Sequence, residues 1–114
     1  MHELGVVFHI ADSVEKVARE NGAERVHCVT LEIGEVSTVI PRYLVEVWNW
    51  HSRRVPLLEG CELKVEQIPA LTHCPDCGTD YPTVPQGITC PSCGSRKTYL
   101  LTGNEVNIKE IAIT

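Results

Sequence analysis

The 114-residue sequence lacks several features that mark large classes of proteins. No uninterrupted apolar run approaches the roughly 20 residues that cross a membrane, and no secretory leader opens the chain. We therefore expect a cytoplasmic protein with no membrane partner. An excess of basic residues is also missing, because the formal net charge is -5 and the pI is near 5.5. Nucleic-acid binders usually carry a basic face, so we predict no nucleic-acid partner.

Motifs of common enzymes are missing as well. The sequence contains no Gly-x-x-x-x-Gly-Lys-Ser/Thr phosphate loop, no Gly-x-Ser-x-Gly turn, no dinucleotide fingerprint and no recognisable nucleophile-base set. We therefore predict that the chain is not an enzyme.

Two stretches have the three- and four-residue apolar spacing of amphipathic helices. The first covers residues 3–21 and ends at Asn21-Gly22, and the second runs from Pro41 to about Val55, before Pro56. The predicted buried stripes are Leu4, Val7, Phe8, Ala11, Val14 and Ala18 in the first helix, and Leu44, Val47, Trp48 and Val55 in the second. We interpret His51, which lies within the second stripe, as a core residue and Trp50 as exposed.

Three further stretches, 25–33, 61–69 and 104–113, alternate between apolar and polar residues and are predicted to be half-buried strands. The last changes phase between Ile108 and Ile111, which predicts a bulge near Lys109-Glu110. The fold class expected from this order is α+β: a small three-stranded sheet covered by two helices, with an inserted four-cysteine zinc-ribbon module. The expected domains are 1–69 plus 104–114 and, between them, 70–103.

The insertion contains a repeated cysteine motif. Cys74-Pro75-Asp76-Cys77-Gly78 is followed, after a Pro- and Gly-containing linker, by Cys90-Pro91-Ser92-Cys93-Gly94. In each motif the proline fixes one φ and the glycine lets the chain turn back, so that backbone N–H groups point at the sulfurs. Two such knuckles give a tetrahedral four-cysteine site of the kind that Zn²⁺ prefers.

The zinc predicted at Cys74, Cys77, Cys90 and Cys93 is structural, because four thiolates leave no open position for a substrate. The linker between the knuckles has too few apolar residues for a core, so the metal must hold the ribbon together. His73 is interpreted as incidental. The remaining cysteines, Cys28 and Cys61, lie in strand-like runs and are predicted to be buried free thiols.

The first three residues, Met1-His2-Glu3, form a potential transition-metal chelate. The amine of Met1, the deprotonated amide nitrogen of His2 and its Nδ1 offer three nitrogens in one plane, which suits Ni(II) or Cu(II). On a helical projection His2 lies about 140° from the apolar arc, on the solvent side, whereas Glu3 lies nearer the arc and suits an orienting role. His9 projects to the same side but lies roughly 10 Å along the axis, and is interpreted as a surface residue.

Together these motifs resemble the HypA family of hydrogenase maturation proteins, and the resemblance covers essentially the whole chain. The segments that carry it, besides the cysteine knuckles, are Met1-His2-Glu3-Leu4, Ile33-Gly34-Glu35-Val36-Ser37, Leu58-Glu59-Gly60 and Gly103-Asn104-Glu105. The family often has Met where this chain has Val106, a departure that affects no ligand.

The resemblance implies a nickel metallochaperone that serves hydrogenase, and in some organisms urease. It implies transient Ni(II) at Met1, His2 and Glu3, structural Zn²⁺ at the four knuckle cysteines, and two partners: a HypB-type GTPase and the hydrogenase large-subunit precursor. Whether the chain forms a homodimer stays open. Two alternatives are a zinc-ribbon interaction module that binds nucleic acid or a transcription complex, and a thiol redox sensor built on the knuckles.

Overall fold

The structure is a computed structural model that describes residues 2–114, with the backbone but not the side chain of His2. Met1 lies outside the described residues. The elements in chain order are α1 (His2–Glu20), β1 (Val26–Gly34), α2 (Pro41–Ser52), a 3-10 turn (Pro56–Leu58), β2 (Glu62–Ile68), β3 (Leu71–His73), β4 (Asp80–Pro82), α3 (Thr83–Gln86), β5 (Tyr99–Thr102) and β6 (Val106–Ile113). The predicted helices and strands are all present.

The long strands form one three-stranded sheet with the order β2-β1-β6. Alternation on β1 buries Val29, Leu31 and Ile33, as predicted. On β6 the partly buried residues are Ile108, Ile111 and Ile113, so the expected change of phase near Lys109-Glu110 is present in the burial. The expected α+β fold, a small sheet with two helices and a cysteine-rich insertion, is confirmed.

The chain divides into two compact units. The helix–sheet unit comprises Met1–Glu32, Thr38–Glu66 and Asn107–Thr114, and the ribbon unit comprises Ile33–Ser37 and Gln67–Val106. None of the helices described here combines the length and apolarity needed to cross a membrane.

The core of the helix–sheet unit contains most of the predicted apolar stripes. Its buried side chains include Val7, Val14, Ala18, Val29, Leu31, Leu44, Trp48 and Leu58. The prediction for Phe8 was wrong, since this side chain is 41% exposed and its ring meets the half-buried His51 edge-on at 4.9 Å. Trp50 is exposed, as expected.

The second helix is shorter than predicted. It ends at Ser52, and the chain continues through a turn in which Arg54 N–H donates to His51 O and Val55 N–H to Ser52 O. These are tight i to i+3 hydrogen bonds, because Pro56 disfavours the α conformation of the residue before it. The apolar Val55 matched the helical spacing without being part of the helix.

The ribbon unit has a sheet of its own that the sequence did not predict. Its order is β4-β3-β5, with His73 opposite Asp80 on one side and opposite Tyr99 on the other. Beside this sheet lies a small cluster of buried side chains, Cys74, Tyr81 and Cys90. Two of its three members are therefore predicted metal ligands.

Two glycines allow three segments of the ribbon unit to cross closely. A Cβ on Gly34 would overlap the carbonyl of Gly103, and one on Gly103, whose φ is +118°, would lie 2.5 Å from Ala70 Cα. At the same place Val36 N–H donates to Gly103 O over 2.8 Å, and Ala70 N–H donates to Glu35 Oε1 over 2.9 Å. In this glycine crossing Glu35 binds Ala70, and Glu105 Oε1 accepts a hydrogen bond from Gly103 N–H, so each motif contributes a glycine and a glutamate.

Candidate metal sites

Four cysteine sulfurs meet at one point of the ribbon unit. The Sγ atoms of Cys74, Cys77, Cys90 and Cys93 all lie within 4.8 Å of one another. Cys74 Sγ is 3.6 Å from Cys93 Sγ, and Cys77 Sγ is 3.6 Å from Cys90 Sγ. Ligands of a tetrahedral ion with metal–sulfur bonds near 2.3 Å are about 3.8 Å apart. The cluster therefore has the size and donor set of a tetrathiolate site for a soft divalent ion such as Zn²⁺.

The two knuckles have the same backbone. Within each, the first cysteine accepts a hydrogen bond from the glycine N–H, at 2.7 Å for Gly78 and 2.9 Å for Gly94. Its own N–H donates to the residue after that glycine, Thr79 or Ser95, over 2.9 Å. Both glycines adopt positive φ, near +75°. This conformation aims both sulfurs of a knuckle in one direction, as the Cys-Pro-x-Cys-Gly repeat predicted.

The thiols of the cluster differ in acidity. The Thr79 hydroxyl, 3.2 Å from Cys77 Sγ, and the Thr79 backbone N–H stabilise the thiolate and lower the pKa of Cys77 to about 6. The Ser95 backbone N–H lowers the pKa of Cys93, but the Cys74 thiol, desolvation and the other thiols outweigh it and raise that pKa to about 12. Thiols packed this closely cannot all ionise without a cation among them, and a divalent ion would supply that charge.

His73 lies next to the cluster without belonging to it. Its Nδ1 is paired with Asp80 Oδ1 at 2.5 Å, and its ring lies 5.3 Å from that of Tyr99. The cluster found among the described residues consists of the four cysteines alone. The interpretation of His73 as incidental to the predicted tetrathiolate is consistent with this position.

At the other predicted site the structure gives a partial view. Helix α1 begins at His2, and Glu3 is 9% exposed. Burial of Glu3 agrees with its predicted place near the apolar arc, and His9 is exposed, as predicted. The predicted ligands Met1 and the His2 side chain lie outside the described residues.

A hollow of about 320 Å³ adjoins the first turn of α1. It is lined by Leu4 from α1 and by Glu46, Val47 and Trp50 from α2. Arg54 lies over the Trp50 ring, with its guanidinium carbon 4.4 Å from the ring centroid. The exposed Trp50 is thus fixed beside the turn that follows His2.

The sequence interpretation missed the hydroxyl residue that follows each knuckle. Thr79 and Ser95 occupy the same position of the repeat, directly after Gly78 and Gly94. Each provides a carbonyl for the first cysteine of its knuckle and a hydroxyl near the cluster. Recurrence of Ser or Thr at this position was the signal that could have identified them.

An α+β unit together with a four-thiol ribbon defines a class of small proteins with a site for a soft metal ion. The family model described as "Hydrogenase/urease nickel incorporation, metallochaperone, hypA" matches residues 1–113. The chain belongs to this HypA family, whose members are nickel metallochaperones for hydrogenase maturation and not enzymes.

Individual relatives align with this chain over nearly their whole length. The chain is 34% identical to hydrogenase maturation factor HypA of Geobacter metallireducens over 113 residues, 99% of each chain. It is 35% identical to the HypA of Azoarcus sp. over 116 residues, 99% of this chain and 98% of the relative. The solution structure of the nickel metallochaperone HypA from Helicobacter pylori has the same fold, with a TM-score of 0.73 at 21% identity over 97% of this chain and 96% of that one.

Proposed function

We propose that this chain carries Ni(II) on its first residues and delivers it during maturation of nickel–iron hydrogenase. Membership of the HypA family over residues 1–113 is the observation that carries this proposal. The nickel ligands would be the Met1 amine, the His2 amide nitrogen and its imidazole Nδ1, with the buried Glu3 as a further ligand or an orienting group. Nickel delivery to urease would be the same activity with a second acceptor, because the family description names hydrogenase and urease.

We further propose that Cys74, Cys77, Cys90 and Cys93 hold a structural zinc ion. The mutual Sγ distances and the all-thiolate donor set support this assignment. When bound, zinc would supply the positive charge that keeps four thiolates together, and its closed coordination would leave the nickel as the ion that moves.

The proposal also includes the setting in which delivery occurs. The partners would be a HypB-type GTPase and the precursor of the hydrogenase large subunit, in the cytoplasm. Residues 1–69 plus 104–114 would act as the nickel-binding domain and residues 70–103 as the zinc-ribbon domain. The division of the chain into a helix–sheet unit and a ribbon unit supports such a separation of roles.

The nickel site is tested by titrating untagged, zinc-loaded protein with Ni(II) in a calorimeter, and by comparing it with His2→Ala. We expect one nickel ion per wild-type chain, and at least tenfold weaker binding for His2→Ala, because this variant loses the imidazole Nδ1 and the chelate ring that it closes. Zinc content, measured by atomic emission, should stay the same in both proteins.

His9→Ala is the matched control, since His9 is an exposed histidine of the same helix. It should bind nickel as the wild type does. Acetylation of the Met1 amine should also weaken binding at least tenfold, because it removes a ligand without changing the sequence. Nickel affinity that is unchanged by both modifications would show that the site lies elsewhere.

A further inference from the structure

The two zinc knuckles share a backbone but differ in what their hydroxyl residues contact. The Thr79 hydroxyl stays within its own knuckle, 3.2 Å from Cys77 Sγ. The Ser95 hydroxyl instead donates to Asp76 Oδ2, which belongs to the opposite knuckle. Ser95 Oγ also accepts a hydrogen bond from Lys97 N–H over 3.2 Å. We name the hydrogen bond between Ser95 and Asp76 the cross-brace.

Position and chemistry make the cross-brace a direct tie between the knuckles. Asp76 belongs to the first knuckle, where it lies between the cysteines Cys74 and Cys77. Ser95 is tied to the second knuckle, because its carbonyl accepts a hydrogen bond from Cys90 N–H. A carboxylate is the strongest acceptor available to a neutral hydroxyl, because the hydrogen bond is assisted by its charge. Movement of one knuckle away from the other must therefore break this bond.

Besides the pairing of β3 with β5, apolar packing in the ribbon unit offers little to hold the knuckles at this spacing. The buried cluster beside the knuckles contains Cys74, Tyr81 and Cys90. So small a cluster buries little apolar surface and therefore contributes little stability. Polar contacts between the knuckles then account for a larger share of what holds them together.

We propose that Asp76 and Ser95 are positioning residues that hold the two knuckles at metal-binding distance and thereby slow the release of zinc from the cluster. The proposal rests on the proposed zinc site. A tetrathiolate releases its ion when thiolates of one knuckle separate from those of the other, so a bond that spans the knuckles opposes the first step of release. The carboxylate acts here through its hydrogen bond and not as a ligand.

A purely electrostatic role for Asp76 predicts the opposite sign. Four thiolates around Zn²⁺ carry a net charge of about -2, and an additional carboxylate repels them. If the charge of Asp76 dominated, removing it would favour the bound ion and slow its release. The sign of the change therefore separates the two mechanisms.

The experiment measures transfer of zinc from the full-length, zinc-loaded chain to an excess of a chromogenic chelator. We expect Asp76→Ala and Ser95→Ala to release zinc about two- to tenfold faster than the wild type, the range for loss of one exposed to partly buried hydrogen bond. The double variant should be no faster than Ser95→Ala, because this single variant already removes the cross-brace together with the hydrogen bond from Lys97 N–H. Asp76→Asn, which keeps an acceptor oxygen, should fall between the wild type and Asp76→Ala.

Ser92→Ala is the matched control. Ser92 takes the place of Asp76 in the second knuckle, and its side chain makes no hydrogen bond in the described part of the chain. It should release zinc at the wild-type rate. Ser95→Thr keeps the hydroxyl and should restore slow release.

Three results would overturn the proposal. Wild-type rates for both alanine variants at one zinc per chain would show that the cross-brace has no effect, and slower release from Asp76→Ala would assign its effect to charge. Additive acceleration in the double variant would show that the two residues act separately. A wild-type chain that binds no stoichiometric zinc would overturn the proposed zinc site as well, and is thus distinguishable from failure of the cross-brace alone.

Discussion

The helix–sheet unit and the ribbon unit of this chain reach a defined structure by different means. In the helix–sheet unit large apolar side chains such as Leu31, Leu44 and Trp48 are fully buried. In the ribbon unit the buried cluster next to the knuckles is one tyrosine and two cysteines, and both cysteines belong to the four-thiol cluster. The first unit is stabilised by burial of apolar surface. On the proposed zinc site, the second unit would depend on the ion that its cysteines hold.

Removal of the metal should distinguish the two units most strongly. Treating zinc-loaded protein with a chelator under reducing conditions, or replacing Cys90 by serine, should unfold the ribbon unit, because structural zinc contributes about 10–16 kcal/mol in small zinc peptides. Backbone amide exchange measured by mass spectrometry should become fast around Cys74 and Cys90 while the amides of Val29 and Leu31 stay protected.

Cys28→Ser provides the control for this experiment, because Cys28 is a half-buried cysteine outside the cluster. This variant should keep its zinc and its protection pattern. Protection of the ribbon amides that survives complete removal of the metal would contradict the difference between the units.

A substitution in the core of the helix–sheet unit should destabilise that unit and leave the ribbon unit intact. Trp48 is fully buried, and its Nε1–H donates to the Cys61 carbonyl over 3.1 Å. Trp48→Ala should lower the free energy of unfolding of the helix–sheet unit by about 3–5 kcal/mol, as measured by urea denaturation of zinc-loaded protein with circular dichroism. Zinc content before denaturation should be unchanged.

Trp48→Phe keeps most of the ring and loses the donor, so it should cost less, about 1–3 kcal/mol for the unpaired carbonyl. If Trp48→Ala released the zinc under native conditions, the two units could not be treated as separately stabilised.

The smallest expected effect is a change in the alkylation rate of Cys61, the cysteine that is buried in the helix–sheet unit. Burial, with the nearby Cys28 thiol, raises the pKa of Cys61 to about 11, well above the usual value of a thiol. Since the thiolate is the reactive form, Cys61 of zinc-loaded protein should resist iodoacetamide at about pH 8 and react progressively faster as the pH rises toward its pKa. Peptide mass spectrometry after timed quenching measures this rate.

The same residue in concentrated guanidinium is the control, because unfolding restores the ordinary thiol pKa of about 8.5. Equal alkylation rates near that pH in the folded and unfolded chains would show that burial does not suppress this thiol.

The difference between the units also explains how far the sequence could be interpreted. Strand β1 was predicted because one buried face imposes a period of two on Val29, Leu31 and Ile33. The metal cluster was predicted because ligand chemistry requires cysteines at fixed spacing. Both signals are local in sequence and repeat in a regular way.

Features that depend on distant contacts were missed. Strands β3, β4 and β5 have only three or four residues each, too few to give a clear sequence pattern, and β5 pairs with β3 from a distant part of the chain. The contact between Asp76 and Ser95 joins two loops. Phe8 matched the apolar stripe of α1, yet it lies at the edge of the helix pair against His51.

The glycine crossing has a consequence for the order in which the ribbon unit folds. Gly34, Ala70 and Gly103 come from three separated parts of the chain, and they must meet with almost no space between their backbones. Joining two ends of a long flexible segment costs more entropy than joining two ends of a short one. On the proposed zinc site, an ion bound to both knuckles would shorten the free path between Ala70 and Gly103, so the crossing would close at a lower entropy cost after the metal has bound.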